Sequence, residues 1–465
     1  MEKFEYNGMW WLPDQKDKTV SGGLKFDPKD GAFLDLIGSF KDFNDFQISL
    51  EPKIILGFAE GKKITLYKCY ESGSRLNLPG FLSTSFWVSV VFVGCHFEKG
   101  EDIVFSSLSV NYSHLAEWTW ITGFNSKIEQ VEDNSFTKFH VSYSIPDKVE
   151  AKIDKLHISI VHSFKEGGDG IEEVILKQTT FVRIEPENSL HIDDYRRNIL
   201  YHIQNFLSLG IGQAVYPLAV NGQSKNCKTQ LSDKKVVYDD ISIFYSNKNI
   251  SAESKRLHPL EMLFAFRDIA PNFEKHLNAW FLKTEFLGPV YDLYFALLYS
   301  SKMYLQYEFL SLVQALEAYH RRKYVGKYVT DNDYKEIYVN LISAIPQNLD
   351  GSFRTSLKEK MKYLNDFSLR KRLKKIIDDL GDITNAIIKN PEGLIEDIVN
   401  TRNYLTHYDK SLEGKESKGN DLYIIVERIK FLLEMCFLIE IEMPTEKIMA
   451  LINRNRRCQH LAKIE

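Results

Sequence analysis

The period of the hydrophobic pattern changes once along the chain, and this change limits the folds available to it. Before about residue 250, apolar and polar residues alternate, as in Leu156–Ile160, which is the two-residue period of a β-strand. After about residue 255, apolar residues recur at helical spacing. The pattern therefore predicts an α+β multidomain protein. An antiparallel β-sandwich or barrel-like domain is expected at 1–250, and an all-α helical bundle at 255–465.

Turn and capping signals divide this outline into elements. Gly22-Gly23 is expected to form a hairpin turn before a strand that starts at Leu24, and the polar stretch Asn247–Glu253 is expected to be the linker. Gly288-Pro289 is expected to start a helix, because proline is tolerated in a first helical turn. Helices are predicted at Ile192–Leu209, Asp292–Tyr324, Phe353–Phe367, Leu369–Leu380, Leu394–His407 and Leu422–Ile441, with a polar tail after Met443-Pro444.

Composition narrows the class of protein. The chain is 44% hydrophobic and 26% charged, as an ordinary globular protein is, and no apolar run approaches the roughly 18 residues of a membrane span. The first residues lack a secretion signal, so a cytoplasmic location without membrane contact is expected. Five scattered cysteines predict reduced thiols rather than disulfides, and no cofactor or metal is expected. With a net charge of −4, nucleic-acid binding would depend on local basic patches.

The stretch Thr401–Asp409, which joins two predicted helices, carries the chemistry most suited to a reaction. In a helix, Asn403 and His407 are four residues apart and share a face, and the long side chain of Arg402 can reach the same edge. Imidazole exchanges protons near neutral pH, and guanidinium binds phosphate oxygens as a permanent cation. These groups suit an RNA phosphodiester, whose 2′-hydroxyl must lose a proton while charge develops on the phosphoryl group.

The spacing of the motif does not single out this copy. Arg197-Asn198 precedes His202 by the same distance, and a looser version runs from Arg454-Asn455 to His460. Asp193 and Asp194 would oppose RNA phosphates at the first of these, and the second lies in the predicted polar tail. A solvated helix face and a polar tail are the simpler interpretations of those two copies. The neighbouring sequence, rather than the spacing, must decide which copy of the motif is the candidate site.

That neighbouring sequence resembles the HEPN-domain ribonucleases, and more narrowly their ApeA-like branch. The resemblance lies in Ile398–Asp409 with the long apolar helix after it, and in Glu308–Tyr319 upstream. Gly8–Pro13 and Leu115–Trp118 also resemble the ApeA N-terminal domain. The resemblance thus touches most of the chain, and identifies the predicted bundle as a HEPN domain.

The resemblance implies a bacterial anti-phage protein that aborts infection by cutting RNA, with transfer RNA among the candidate substrates. HEPN ribonucleases are generally metal-independent homodimers in which two such motifs face one cleft. By analogy, Arg402 would stabilise phosphate charge, His407 would handle protons, and Asn403 would orient the pair. The expected products are a 2′,3′-cyclic phosphate and a 5′-hydroxyl. The β-rich domain would sense a phage-derived trigger or restrain the nuclease.

Further candidate residues lie on the neighbouring predicted helices. Glu317 is expected to support Arg402 from the earlier helix, although an ordinary surface ion pair between Glu317 and Arg321 explains the same spacing. Arg321 and the basic residues Lys371, Arg372 and Lys374 are candidates for holding the RNA backbone. A solvated helix face is the alternative for this basic stretch.

Two other functions remain open from the sequence. HEPN domains also serve as non-catalytic RNA-binding or interaction modules. A carbohydrate-active protein built on the aromatic β-rich domain is a third class, but the sequence offers no carboxylate pair for glycoside hydrolysis.

Overall fold

The computed structural model describes residues 1–41, 49–76, 82–130, 136–232, 235–247, 255–300, 303–408 and 410–464. The chain forms two compact units, Met1–Asn278 and Ala279–Glu465. The first is rich in antiparallel strands and the second is helical, so the predicted fold class is confirmed. The units divide later in the chain than the boundary predicted at 250 to 255, and residues 248–253 of the predicted linker lie outside the described residues.

Antiparallel strands build most of the first unit. In the described residues they are β1 (Phe4–Trp11), β2 (Val20–Asp27), β3 (Gly31–Ile37), β4 (Ile54–Ala59), β5 (Lys62–Leu76), β6 (Leu82–Val93), β7 (Val104–Phe105), β8 (Ser107–Tyr112), β9 (Phe124–Gln130), β10 (Phe136–Tyr143), β11 (Val149–Ile153), β12 (Leu156–Gly167), β13 (Ile175–Pro186), β14 (Leu190–His191), β15 (Pro217–Ser232) and β16 (Lys235–Tyr245). The pair β9–β10 and the short pair β7–β14 stand apart from the main sheet.

Part of the main sheet closes into a barrel. The pairing order β6-β3-β2-β1-β4-β5 returns to β6, because β5 pairs with β6 from Ile64 to Leu76. The other edge of β6 is divided between two partners: β3 pairs with Ser83–Val88, and β16 pairs with Val90–Val93. From β16 the sheet continues through β15, β8, β13, β12 and β11. The barrel thus opens into a second sheet at one point on β6.

Close backbone approach explains the glycines of the barrel. Gly57 lies so near Trp10 that an added Cβ would come within 2.2 Å of the indole ring, and Trp10, which is fully buried, donates from its indole N–H to the carbonyl of Gly22 at 3.0 Å. The hairpin predicted at Gly22-Gly23 is wrong. Both residues lie inside β2, where a Cβ on Gly22 would clash with the Asp35 carbonyl of β3. Glycine marks packing here rather than a turn.

A helical layer covers part of the second sheet. It contains α1 (Leu115–Thr119), α2 (Ile192–Asp194), a π-helical turn (Tyr195–Leu200), α3 (Tyr201–Ile211) and α4 (Phe266–Ile269). The predicted helix at Ile192–Leu209 is confirmed, with a π-helical turn in its middle. The indole N–H of Trp118 donates to the carbonyl of Phe264 at 3.0 Å, and the amide of Phe264 donates to that of Gly210 at 3.0 Å. These contacts attach the segment after residue 255 to the first unit.

Two cysteines far apart in sequence meet in this unit. Cys95 follows β6 and Cys227 lies on β15, and they form a disulfide with their Cα atoms 6.0 Å apart. The prediction of reduced thiols is wrong for this pair, because sheet pairing brings together residues separated by 132 positions. The other cysteines, Cys69, Cys436 and Cys458, are buried as free thiols.

The helices of the second half differ from the prediction at their ends. They are α5 (Phe273–Tyr299), α6 (Leu305–Lys323), α7 (Asp331–Ser343), α8 (Gly351–Met361), α9 (Leu369–Leu380), α10 (Asp382–Asn385), α11 (Pro391–His407), α12 (Gly419–Glu440), α13 (Thr445–Arg454) and α14 (Arg456–Leu461). Gly288-Pro289 does not start a helix, since Pro289 lies inside α5, and the single helix predicted at Asp292–Tyr324 is divided between α5 and α6. The predicted polar tail folds as α13 and α14, whose apolar residues are buried.

Contacts between side chains define the directions of three long helices. Lys430 on α12 pairs with Glu308 on α6, and Glu440 on α12 accepts a hydrogen bond from Tyr319 on α6 at 2.9 Å. Because the contacts advance together along both helices, α6 and α12 are parallel. Helix α11 runs opposite to α12, since its end meets the start of α12 through Thr401 and Ser417.

Candidate functional site

The motif lies on the last turns of α11, and local chemistry explains why the helix forms there. Asn390 caps its start by accepting a hydrogen bond from the Gly393 amide at 3.0 Å, with Pro391 in the first turn. Leu394 and Ile398 are buried on its inner side. The helix ends at His407 because Tyr408 has a left-handed backbone, with φ of 49°. Arg402 and Asn403 are half-buried, and His407 is exposed at the helix terminus.

A buried hydroxyl connects the motif to the loop that follows it. Thr401 is fully buried, and its Oγ1 accepts a hydrogen bond from the Ser417 amide at 3.0 Å. A buried backbone amide needs such an acceptor when its segment is not in regular structure. This bond holds the end of α11 against the segment that leads into α12. Asp409, the last residue of the motif run, lies outside the described residues.

Asn403 determines where the guanidinium of Arg402 points. Arg402 Nη1 donates to Asn403 Oδ1 at 3.1 Å. Arg402 and His407 are five residues apart, which places them about 140° apart around the helix axis. Asn403 and His407 share a face, so the bond draws the guanidinium towards the histidine side. The structure thus brings the cation, the amide and the imidazole to one end of the helix.

Among the described residues, neither the guanidinium of Arg402 nor the imidazole of His407 has an acidic partner. In the part of the chain that the structure describes, no carboxylate forms an ion pair with Arg402 or His407. Other cations of the second unit do have such partners, as Lys430 has Glu308 and Lys374 has Glu392. An unpaired, accessible guanidinium is available to bind an anion such as phosphate.

Two tyrosines lie within and directly after the motif, and they were not predicted from the sequence as binding groups. The rings of Tyr404 and Tyr408 are 5.6 Å apart, and Lys418 Nζ lies 5.8 Å from the centre of the Tyr404 ring. Tyr408 is 70% exposed. The signal in the sequence was the spacing of four residues between the tyrosines. Exposed rings of this kind can stack on unpaired bases.

Glu317 does not meet Arg402 within one chain. Its carboxylate pairs with Arg321 at 3.0 Å, and Arg321 also pairs with Asp366 at 3.2 Å. Glu317 is two residues before Tyr319, which contacts Glu440 at the end of α12. Arg402 follows Thr401 on α11, and Thr401 binds Ser417 just before the start of α12. Helix α12 has 22 residues and is about 33 Å long. The ion pair between Glu317 and Arg321 is therefore a local one, and Glu317 cannot support Arg402 as expected.

The basic residues predicted to hold RNA separate into exposed and buried groups. Lys371 and Lys374 are exposed on α9; Lys371 Nζ lies 4.0 Å from the ring centres of Tyr328 and Phe367, and Lys374 pairs with Glu392 at 2.5 Å. Arg372 departs from the prediction, because its side chain is 2% exposed. A helix face that looked uniformly basic is amphipathic, and Arg372 lies on its inner side.

Arg372 has a structural role in the helical unit. Its Nε donates to the carbonyl of Phe367 at 2.9 Å, and its Nη1 donates to Nδ1 of His320 at 3.1 Å. His320 is fully buried, and burial together with the adjacent cation lowers its pKa to about 4. The neutral imidazole accepts at Nδ1 and so carries its proton on Nε2.

The two other copies of the motif have different surroundings. Arg197 lies on the π-helical turn of the first unit, and Arg454 ends α13. Near the latter, Arg457 binds two carboxylates inside the fold, Glu434 at 2.7 Å and Glu427 at 2.9 Å. Glu434 is 2% exposed, so these charges are paired where water is excluded. Arg457 is therefore held in an internal network, although this region was predicted to be a polar tail.

The described residues contain neither a metal-binding cluster nor a helix that could span a membrane. Across the described ranges, no group of three or more His, Cys, Asp or Glu side chains is arranged to hold a metal ion. Among the helices in these ranges, none has both the length and the apolar content to cross a bilayer.

Comparison with known proteins identifies both halves of the chain. Residues 5–280 match the family model of ApeA N-terminal domain 1, and residues 310–447 match that of the Apea-like HEPN domain. No curated protein and no solved structure matches the chain. The first match alone covers more than half of the chain, and the second includes most of α6 and all of α11 and α12. The chain therefore belongs to the family of proteins in which ApeA N-terminal domain 1 precedes an Apea-like HEPN domain.

Proposed function

We propose that this protein is a bacterial anti-phage endoribonuclease that cuts RNA, with transfer RNA as one candidate substrate. The HEPN match supports an RNA-directed activity, and the ApeA match supports a role in defence. The observation that carries the proposal is the guanidinium of Arg402, which has no carboxylate partner among the described residues and is held by Asn403 towards the side of exposed His407.

The proposed reaction is a transesterification that needs only side chains and RNA. The 2′-oxygen attacks the adjacent phosphorus, forming a 2′,3′-cyclic phosphate while the bond from phosphorus to the 5′-oxygen breaks. His407 takes the proton of the 2′-hydroxyl or gives one to the departing 5′-oxygen, because imidazole can do either near neutral pH. Arg402 stabilises the charge that develops on the phosphoryl oxygens.

A second copy of the chain completes the proposed site. One motif supplies one guanidinium and one imidazole, so a single histidine would have to act as both base and acid. Two motifs facing each other in a homodimer provide an imidazole for each proton transfer. The intrachain support predicted from Glu317 lies at the other end of α12, which leaves the exposed end of α11 open for a partner.

The exposed lysines of α9 are proposed to hold the RNA backbone. Lys374 pairs with Glu392, ten residues before Arg402 on α11, which is about 15 Å along the helix axis. RNA that follows this direction could bind the lysines and reach the motif. Since such binding releases counterions, its affinity should fall steeply with salt. Arg372 is excluded from this surface by its burial.

The β-rich domain is proposed to keep the nuclease inactive until a phage-derived trigger is present. A nuclease that cut cellular RNA continuously would kill the uninfected cell. Full activity of the purified protein on bulk cellular RNA, without any trigger, would contradict this control.

The test uses end-labelled RNA incubated with the full chain in chelator, followed by analysis of the product ends. Arg402→Ala and His407→Ala should each abolish cleavage, and the parent should leave 2′,3′-cyclic phosphate and 5′-hydroxyl ends. His460→Ala is the matched control, because His460 is exposed and belongs to the looser copy of the motif. Cleavage by His407→Ala at the parent rate would refute the assignment.

The alternative function is that of a non-catalytic RNA-binding or interaction module. The aromatic rings beside Lys418 favour this reading as much as they favour catalysis, since they can bind RNA without cutting it. A module of this kind would keep its protection against phage in the His407→Ala variant, whereas an enzyme would lose it.

A further inference from the structure

A cavity of about 610 Å³ lies in the first unit, between the barrel and the helical layer. Lys68, Trp87 and Tyr245 come from strands β5, β6 and β16, and Asp193, Arg196 and Arg197 come from α2 and the π-helical turn. The volume falls in the range of small-molecule sites. This cavity lies wholly within residues 1–278, whereas the candidate RNA site lies on α11.

The topology of the sheet explains why a cavity forms there. β6 pairs with β3 up to Val88 and with β16 from Val90, so its two partners separate at this point. Trp87 is the last-but-one residue on the β3 side, and Tyr245 is the partner of Val90 on the other. A space opens where the strands diverge, with the helical layer above it.

The backbone departs from regular geometry on both sides of the cavity. Lys68 has φ of 55° inside β5, in the left-handed region that a long side chain rarely adopts. Opposite it, residues Tyr195–Leu200 form a π-helical turn, which is rare and often occurs at functional sites. The wider turn lets two consecutive arginines, Arg196 and Arg197, line the same space. Two unusual conformations therefore direct three cations into one cavity.

The cavity carries more positive than negative charge. Lys68 Nζ binds Asp193 Oδ2 at 2.7 Å, which neutralises one cation. The guanidinium of Arg196 lies over the Tyr245 ring, 4.6 Å from its centre. Arg197 is exposed, and in the described part of the chain neither a hydrogen bond nor an ion pair engages its guanidinium. An anion would therefore find Arg197 open and Arg196 already oriented.

The cavity also offers flat rings beside these cations. Trp87 and Tyr245 both line it, and each residue is half-buried. A tryptophan face is a good partner for a heteroaromatic ring, and the adjacent guanidinium groups suit phosphate. A ligand that joins a heteroaromatic ring to a phosphate would contact both the rings and the cations of this cavity.

We propose that this cavity binds a nucleotide, with its phosphate on Arg196 and Arg197 and its base against Trp87. The proposal assigns the β-rich domain a small-molecule site of its own, and it does not depend on RNA cleavage by the second unit. It also gives a use to the Arg197 copy of the motif, which binds phosphate without doing chemistry on it.

The test is isothermal titration calorimetry of the full chain with AMP, ATP, adenosine and inorganic phosphate. AMP or ATP should bind, and adenosine and phosphate alone should bind at least about tenfold more weakly, because each lacks half of the contacts. Arg197→Ala should weaken nucleotide binding by about tenfold, the effect of losing one charge-assisted hydrogen bond. Arg197→Lys should recover part of that loss, since it restores the charge without the planar fork.

Arg183→Ala is the control, because Arg183 lies on β13 of the same unit and pairs with Glu185 outside the cavity. It should bind nucleotide as the parent does. Failure of both AMP and ATP to bind would overturn the proposal, and so would unchanged affinity in Arg197→Ala. In the His407→Ala background, a short single-stranded RNA that binds this cavity more tightly than AMP, and loses that binding with Arg197→Ala, would assign the site to a polynucleotide and overturn it as well.

Discussion

Asn403 Oδ1 accepts a hydrogen bond from Arg402 Nη1 at 3.1 Å, although the two residues are neighbours in sequence and point in different directions from the helix. The bond moves the cation towards the face that Asn403 shares with His407. In the proposed nuclease, this amide is a positioning group: it touches the guanidinium, and the guanidinium touches the phosphate.

Replacing Asn403 should therefore affect catalysis without affecting the fold. Asn403→Ala is expected to lower the cleavage rate by about tenfold, since one hydrogen bond to a charged group is lost. Its thermal midpoint should stay close to that of the parent, because the side chain is only half-buried. Thr406→Ala is the control, as the Thr406 hydroxyl donates to the backbone carbonyl of Arg402 and not to its guanidinium. Equal cleavage rates for Asn403→Ala and the parent would contradict the positioning role.

The buried histidine of α6 should make stability depend on pH. The pKa of His320 is lowered to about 4, from about 6.5 in an unfolded chain. Between these values the unfolded state binds more protons, so the free energy of unfolding should fall as pH decreases from about 6.5 to about 4. The expected loss from this group is about 3 kcal/mol, and it is absent above pH 6.5.

Denaturant unfolding of the parent and of His320→Gln at pH 8 and pH 5 measures this contribution. The variant should lose less stability between the two pH values than the parent does. His460→Gln, which alters an exposed histidine of the same unit, is the matched control for the loss of one imidazole. If His320→Gln keeps the parent's pH dependence, the buried imidazole does not titrate as described.

Removal of two cations on α9 should lower the free energy of unfolding by very different amounts. Arg372→Ala is expected to lower the free energy of unfolding by about 3 kcal/mol, because it leaves the Phe367 carbonyl and His320 Nδ1 without their donor. Lys374→Ala removes an exposed ion pair with Glu392 and should leave the free energy of unfolding close to that of the parent, because water screens such a pair. Urea unfolding of both variants decides this, and a larger loss for Lys374→Ala would contradict the assignment.

Lys374→Ala should also reduce the salt dependence of the affinity for RNA.

The cysteines should differ in their response to alkylation. The folded, unreduced chain should resist iodoacetamide at every cysteine, because Cys95 and Cys227 are bonded to each other and the other three thiols are buried. Burial also raises the pKa of Cys436 and Cys458 to about 12, which leaves little reactive thiolate at neutral pH. Non-reducing peptide mapping should find the peptide that joins Cys95 to Cys227. Alkylation of these two residues before any reductant is added would show that the bond is not formed.

The sequence was sufficient to predict features that depend on neighbouring residues. The change from the two-residue period to the helical one predicted both halves of the fold, and apolar residues at helical spacing predicted α9, α11 and α12 closely. The motif at Arg402 was also visible, because Asn403 and His407 share a face in any helix. Its preference over two similar copies came from the resemblance to a family.

Tertiary structure alone decided which of the same residue types are buried, paired or free. Gly22 was predicted to form a turn, but it lies in a strand and packs against β3. Arg372 was predicted to contact RNA, but its side chain lies on the inner side of α9 and donates to His320. Glu317 lies far from Arg402 because α6 and α12 are parallel, a relation that no local pattern contains. Cys95 and Cys227 likewise meet only through the sheet. Local periodicity depends on a few adjacent residues, whereas burial and pairing depend on segments that come together only when the whole chain has folded.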